Sequence, residues 1–92
     1  MASTLVKQPS ESRLYDFEFA NLLASGVTLS SVQSLTADSA GLTLGSATVS
    51  GTRVQVRIGA GTHGATYKLT CIAVDSQSNV LEAEGYLSVQ DL

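Results

Sequence analysis

The sequence predicts an all-β domain of two antiparallel sheets packed face to face, built from about six or seven short strands. Three observations carry that expectation. Val54, Val56 and Ile58 alternate without exception with Arg53, Gln55 and Arg57, and Tyr67, Leu69, Cys71 and Ala73 alternate with Lys68 and Thr70. This is the two-residue period of a half-buried strand. Strand-like runs recur every 8 to 15 residues with Gly, Ser, Asn and Asp clusters between them, and no segment holds a 3.6-residue apolar period long enough for an amphipathic helix.

Residues 1–10 carry few apolar groups and end in Gln8-Pro9-Ser10, so they read as a flexible N-terminal arm that either stays mobile or docks on a neighbour, with 11–92 as the single folded domain. Tyr15, Phe17 and Phe19 alternate with Asp16 and Glu18, which makes the first strand of that domain and places both phenylalanines in it. Asn21 to Gly26 is a connector, either one short helical turn or a loop. Val27 to Leu35 reads as a second strand of imperfect alternation. Thr36 to Gly41 is a turn cluster. Leu42, Leu44, Ala47 and Val49 fall in two frames separated at Gly45, the pattern of a strand bent or bulged at a glycine.

Gly51 opens a turn into the strand of Val54, Val56 and Ile58. The loop Gly59 to Ala65 leads to a strand over Thr66–Val74, and Ser76 to Asn79 make a tight reversal. In the closing strand Leu81, Ala83, Gly85, Leu87 and Val89 point one way, while Glu82, Glu84, Tyr86 and Ser88 point the other. Strands of this number and spacing fit an immunoglobulin-like β-sandwich. The paired cysteines and buried Trp of antibody domains are missing, so the likeness is to the sandwich alone.

A chain of 92 residues with 43% hydrophobic residues, no Trp and two Phe supports one mainly aliphatic core. Charged residues are 14% of the chain, against about 25% in an ordinary soluble domain. Weak surface repulsion of this kind suits a protein that lives inside an assembly. The net charge is −3 and the five basic residues are scattered, which disfavours nucleic acid as a partner. A single cysteine on a core-facing position behaves as a small hydrophobe and points to a reducing compartment. Neither a membrane-spanning run nor the charged-then-apolar plan of a leader is present, so neither membrane insertion nor cleaved export is expected.

Gly59-Ala60-Gly61-Thr62-His63-Gly64 matches Gly-x-Gly-x-x-Gly, with Glu82 and Glu84 about twenty residues on, as in a dinucleotide fingerprint. That motif needs a helix to receive the pyrophosphate. Here a strand follows, so the glycines read as inter-strand loop residues. His63 has no second histidine or cysteine at metal-ligand spacing and reads as a solvated loop residue. Asp16 with Glu18 and Glu82 with Glu84 supply too few convergent oxygens for a calcium site and read as solvated sheet faces. No Gly-x-Ser-x-Gly elbow exists. Catalytic, cofactor-binding and metal-binding residues are therefore none, no cofactor is implied, and an enzyme is not expected.

Lys7-Gln8-Pro9-Ser10-Glu11, then Tyr15-Asp16-Phe17, the connector Leu22 to Gly26, and Gly64 to Thr70 with a closing strand to Val89 together resemble small tailed-phage virion proteins, the fiber-tail adaptors. The resemblance covers about residues 7–90. Gln8 stands where that family usually has an acid, and the family's Trp after the first strand is missing. The resemblance implies a structural virion protein that links rings or fibers at the phage neck or tail by protein contacts alone. It further implies a symmetric multi-copy assembly with other virion proteins, put together in the host cytoplasm. Contact candidates are Val6, Lys7, Gln8, Pro9 and Ser10 in the arm, with Arg57 and the outward aromatic Tyr86. A capsid decoration or cement protein, or an immunoglobulin-like module that binds carbohydrate or a receptor, is the alternative.

Overall fold

The computed structural model describes residues 4–90. It holds eight strands: β1 (Thr4–Lys7), β2 (Arg13–Glu18), β3 (Leu29–Ala37), β4 (Leu42–Leu44), β5 (Thr48–Ser50), β6 (Arg53–Ala60), β7 (Thr66–Asp75) and β8 (Val80–Val89), with one 3-10 turn at Ala20–Leu22. One sheet runs β1-β8-β7-β3 and the other β2-β6-β4, with β5 also paired to β6. Without β1, the orders β2-β6-β4 and β8-β7-β3 are those of strands B, E, D and G, F, C in an immunoglobulin-type sandwich.

The strands with clean alternation form as expected. Val54, Val56 and Ile58 are fully buried from β6, and Tyr67, Leu69, Cys71 and Ala73 are buried from β7. Each such aliphatic side chain contributes about 1.5–3 kcal/mol relative to exposure. Leu87 and Val89 from β8, Phe17 from β2 and Leu29 from β3 join the core, as does Phe19, expected inside the first strand but one residue past the end of β2.

The strand count exceeds six or seven for two reasons. The segment expected as one strand bent at Gly45 is two separate three-residue strands, β4 and β5. The Gly45 amide still donates to the Arg57 carbonyl of β6 at 2.8 Å, the next rung of the β4 register. The pairing then slips by one residue before Thr48 faces Gln55, and a Cβ at Gly45 would stand 3.2 Å from the Arg57 oxygen. The second addition is β1, inside the segment expected to be an arm. Residues 4–7 are not an arm: they pair in parallel with β8, Thr4 opposite Tyr86 through to Lys7 opposite Val89. The first sheet is therefore mixed, not purely antiparallel. Residues 1–3 of the expected arm, and 91–92 of the expected domain, lie outside the described residues.

The imperfect alternation of β3 also has a cause. Its register with β7 shifts between Leu29 and Ser31 and again between Val32 and Ser34. Each shift inserts a residue, so the inward positions fall at Leu29, Val32, Leu35 and Ala37.

The glycine-rich loop carries no helix. Ala60 and Gly61 take positive φ angles of 60° and 108° as the chain leaves β6, and β7 follows directly. A Cβ at Gly61 would lie 2.8 Å from Val89 Cγ2, so glycine is needed both for the backbone angle and for the close approach to β8. The Tyr67 hydroxyl accepts the Thr62 amide at 3.1 Å. A tyrosine at the start of strand F that ties back to the preceding corner is the tyrosine corner of immunoglobulin-like domains. At the β7–β8 reversal the buried Asp75 carboxylate accepts the amides of Gln77 (2.9 Å) and Asn79 (2.8 Å) and the Asn79 side chain (3.1 Å). Burial pushes this carboxyl up, but the bonds from Asn79 and Gln77 outweigh it and hold its pKa below the usual aspartate value.

Candidate functional site

One long side of the sandwich is closed and the other is open. On the closed side β3 packs across to β5. On the open side the edge strands β1 and β2 flank a cleft of about 280 Å³ between the sheets. Leu5 on β1, Tyr15 and Phe17 on β2, Ile58 on β6, Leu69 on β7 and Leu87 on β8 make its apolar lining. Gly85 lines it from the inner face of β8, where alternation would place a side chain between the sheets.

Exposed apolar groups lie on both edge strands and beside the cleft. Leu5 is 41% exposed, Tyr86 37%, and Leu14, on the outward face of β2, 54%. The Tyr15 hydroxyl is buried and has no hydrogen-bond partner among the described residues. Burial pushes its pKa up, with the nearby Arg13 acting against that and Glu11 reinforcing it. A buried hydroxyl left unpaired costs about 1–3 kcal/mol, so this edge is less than fully satisfied as it stands.

Acidic groups mark the β2 rim. Glu18 accepts from Thr52 at 2.7 Å, from the Ala20 amide at 3.1 Å and from Arg53 at 3.0 Å. The Thr52 bond is the main reason its pKa lies below the usual glutamate value, with the Arg53 and Ala20 bonds adding to it against the effect of burial. Asp16 lies 4.0 Å from the same Arg53.

The contact candidates separate into three groups. Val6 and Tyr86 lie exposed on the β1–β8 edge, and Tyr86 also lines the cleft. Arg57 is exposed on the outward face of the other sheet, opposite Leu14 in register, and donates to the Ser12 carbonyl at 3.2 Å. Lys7 requires correction. It has no exposed surface, and its ammonium donates to the carbonyls of Gln8 at 2.6 Å, Pro9 at 3.2 Å and Ala60. A Lys this deep is held by satisfied donors, not offered to a partner.

Gln8, Pro9 and Ser10 form the turn that follows. The Glu11 side chain accepts the Gln8 amide at 2.9 Å and the Glu11 amide donates back to the Gln8 carbonyl at 3.1 Å. The Lys-x-Pro step is thus a folded staple that ties β1 to the end of β6. Leu5, Leu14, Tyr15 and Gly85 are not among the contact candidates read from sequence. Leu14 did carry a signal, as an apolar residue in the outward frame of a strand whose inward frame is Tyr15, Phe17 and Phe19.

Among the described residues no three His, Cys, Asp or Glu side chains gather as a metal-binding set, and no helix is long and apolar enough to cross a membrane. His63 is exposed in the β6–β7 loop.

A family profile described as podophage GP4 fiber-tail adaptor protein gp77 matches residues 7–88, most of the chain. No curated protein matches it.

Proposed function

The chain belongs to the podophage GP4 fiber-tail adaptor family and is a structural virion component, and from that premise we propose that it joins tail to fiber proteins by protein contacts alone. The single observation that carries this reading is the family match over residues 7–88. The open side of the sandwich supports it, because exposed Leu5, Leu14 and Tyr86 beside an apolar cleft are the kind of surface a partner covers. The match favours an adaptor over a capsid decoration protein or a carbohydrate-binding module. The reading includes several copies arranged in closed rotational symmetry, the usual form of such assemblies, with assembly in the host cytoplasm and neither nucleic acid nor membrane as partner. It assigns no catalysis.

Particles assembled without this protein test the proposal. Adding the purified chain to them should restore fiber attachment in electron micrographs, with symmetric density at the junction. Fibers that attach equally well without it would refute the adaptor role.

A further inference from the structure

An immunoglobulin-type sandwich carries strands A, B, E and D in one sheet. In this protein β2, β6 and β4 occupy B, E and D, while β1, the counterpart of A, is paired to β8 in the other sheet. The outer edge of β2 therefore faces no strand among the described residues.

The remaining sheet borders are guarded by devices that prevent strand addition. The β3 border is bulged at two register shifts. On the border formed by β4 and β5, each strand has only three residues. β1 has four described residues and Pro9 follows closely. By contrast β2 runs six residues in unbroken register, Arg13 opposite Ile58 through to Glu18 opposite Arg53, and contains neither Pro nor Gly.

We propose that the outer edge of β2 accepts an extended strand from a tail or fiber protein, which takes the vacant A position and sets apolar side chains into the cleft between β2 and β8. This deepens the adaptor reading and rests on it. Main-chain bonds to β2 supply attachment, and the cleft selects the inward side chains. The cleft, about 280 Å³ and open along the β2 edge, has room for a few protruding side chains. The unpaired Tyr15 hydroxyl gains a partner from the incoming chain.

Charge selects the partner further. The cleft residues include Asp16 and Glu18 and no Lys or Arg, and Arg53, 3.0 Å from Glu18 and 4.0 Å from Asp16, offsets one of the two charges. An incoming strand with Lys or Arg at its outward positions is favoured. A second copy is a poorer match in the registers centred on Asp16 or Phe17, where two β2 strands paired antiparallel with inner faces aligned set acid against acid.

The test compares backbone hydrogen exchange of the full chain in solution and in purified particles. Amides within 13–18 that do not bond to β6 should exchange freely in solution and at least tenfold more slowly in the particle. Leu14→Lys places a charge on the exposed face of this edge and should reduce incorporation at least tenfold at an unchanged melting temperature. Gly85→Val, which fills the cleft, should do the same; should it fail to fold, the Leu14 variant decides alone. The inference is overturned by protection of 13–18 already present in the free chain, whether from its own residues or from a dimer seen in sedimentation. Protection in the particle at β1, β3, β4 or β5 instead, or normal incorporation of Leu14→Lys, overturns it equally. A wild-type chain that never enters particles removes the adaptor reading and this inference with it; one that enters with 13–18 unprotected removes strand addition alone.

Discussion

Lys7 shows how a residue's type can conceal its role. Its place in the expected arm makes it a contact candidate, yet it is fully buried and donates to three carbonyls, one of them at the end of β6. Lys7→Met keeps the aliphatic stem and removes the donors. It should lower unfolding free energy by about 1.5–3 kcal/mol, the worth of hydrogen bonds to a charged group, seen as a lower urea midpoint at unchanged slope. An unaltered midpoint would show that the staple carries no net stability. Cys71 presents the opposite case, since its place on the inner face of β7 was plain from alternation. Burial pushes its thiol up to about 11, so at pH 8 it should resist alkylation in the folded protein and react fully in urea. Rapid labelling without denaturant would mean that β7 opens far more readily than a central strand should.

At the scale of elements, legibility followed the regularity of pairing. β6, β7 and β8 could be read because one face of each is buried along an uninterrupted ladder. β3 is blurred because its two register shifts break the period of two, and β4 and β5 read as one strand because only three-dimensional pairing reveals the one-residue slip against β6 between Gly45 and Thr48. β1 was missed for a different reason: four residues cannot establish a period, and their partner β8 lies at the far end of the sequence. The cleft was illegible in turn, because it depends on which strands become edges, and Tyr86 was found only through its outward frame. Deleting residues 1–10 therefore does more than remove a docking arm. It strips β1 from the sheet and leaves the Ala60 carbonyl without the Lys7 ammonium. The truncated chain should melt about 10 °C or more below the intact one, given roughly 4–8 °C per kcal/mol in a domain of this size, and further than Lys7→Met alone. A melting temperature equal to the full-length value would restore the arm reading.

For the whole molecule, sparse charge and a well-held acidic turn make opposite demands on acid behaviour, and their order decides the outcome. Net charge is −3 at neutral pH and vanishes near pH 4.7, where the weak repulsion between molecules disappears while exposed Leu5, Leu14 and Tyr86 remain. Asp75 titrates lower. Its folded pKa is depressed by the Asn79 and Gln77 bonds, so its contribution to stability is complete above the ordinary aspartate value of about 3.9 and is lost only as pH falls through the lower folded value. At pH 4.7 that contribution is still intact. Light scattering should therefore rise as pH approaches 4.7 while the β-sheet circular dichroism stays constant, and secondary structure should fail only under stronger acid. Leu14→Lys should weaken the association, since it adds charge at the open edge and moves the point of zero charge upward, away from the pH at which wild type associates. Loss of the β signal before any rise in scattering would show that the turn fails first and that the exposed apolar side does not drive association.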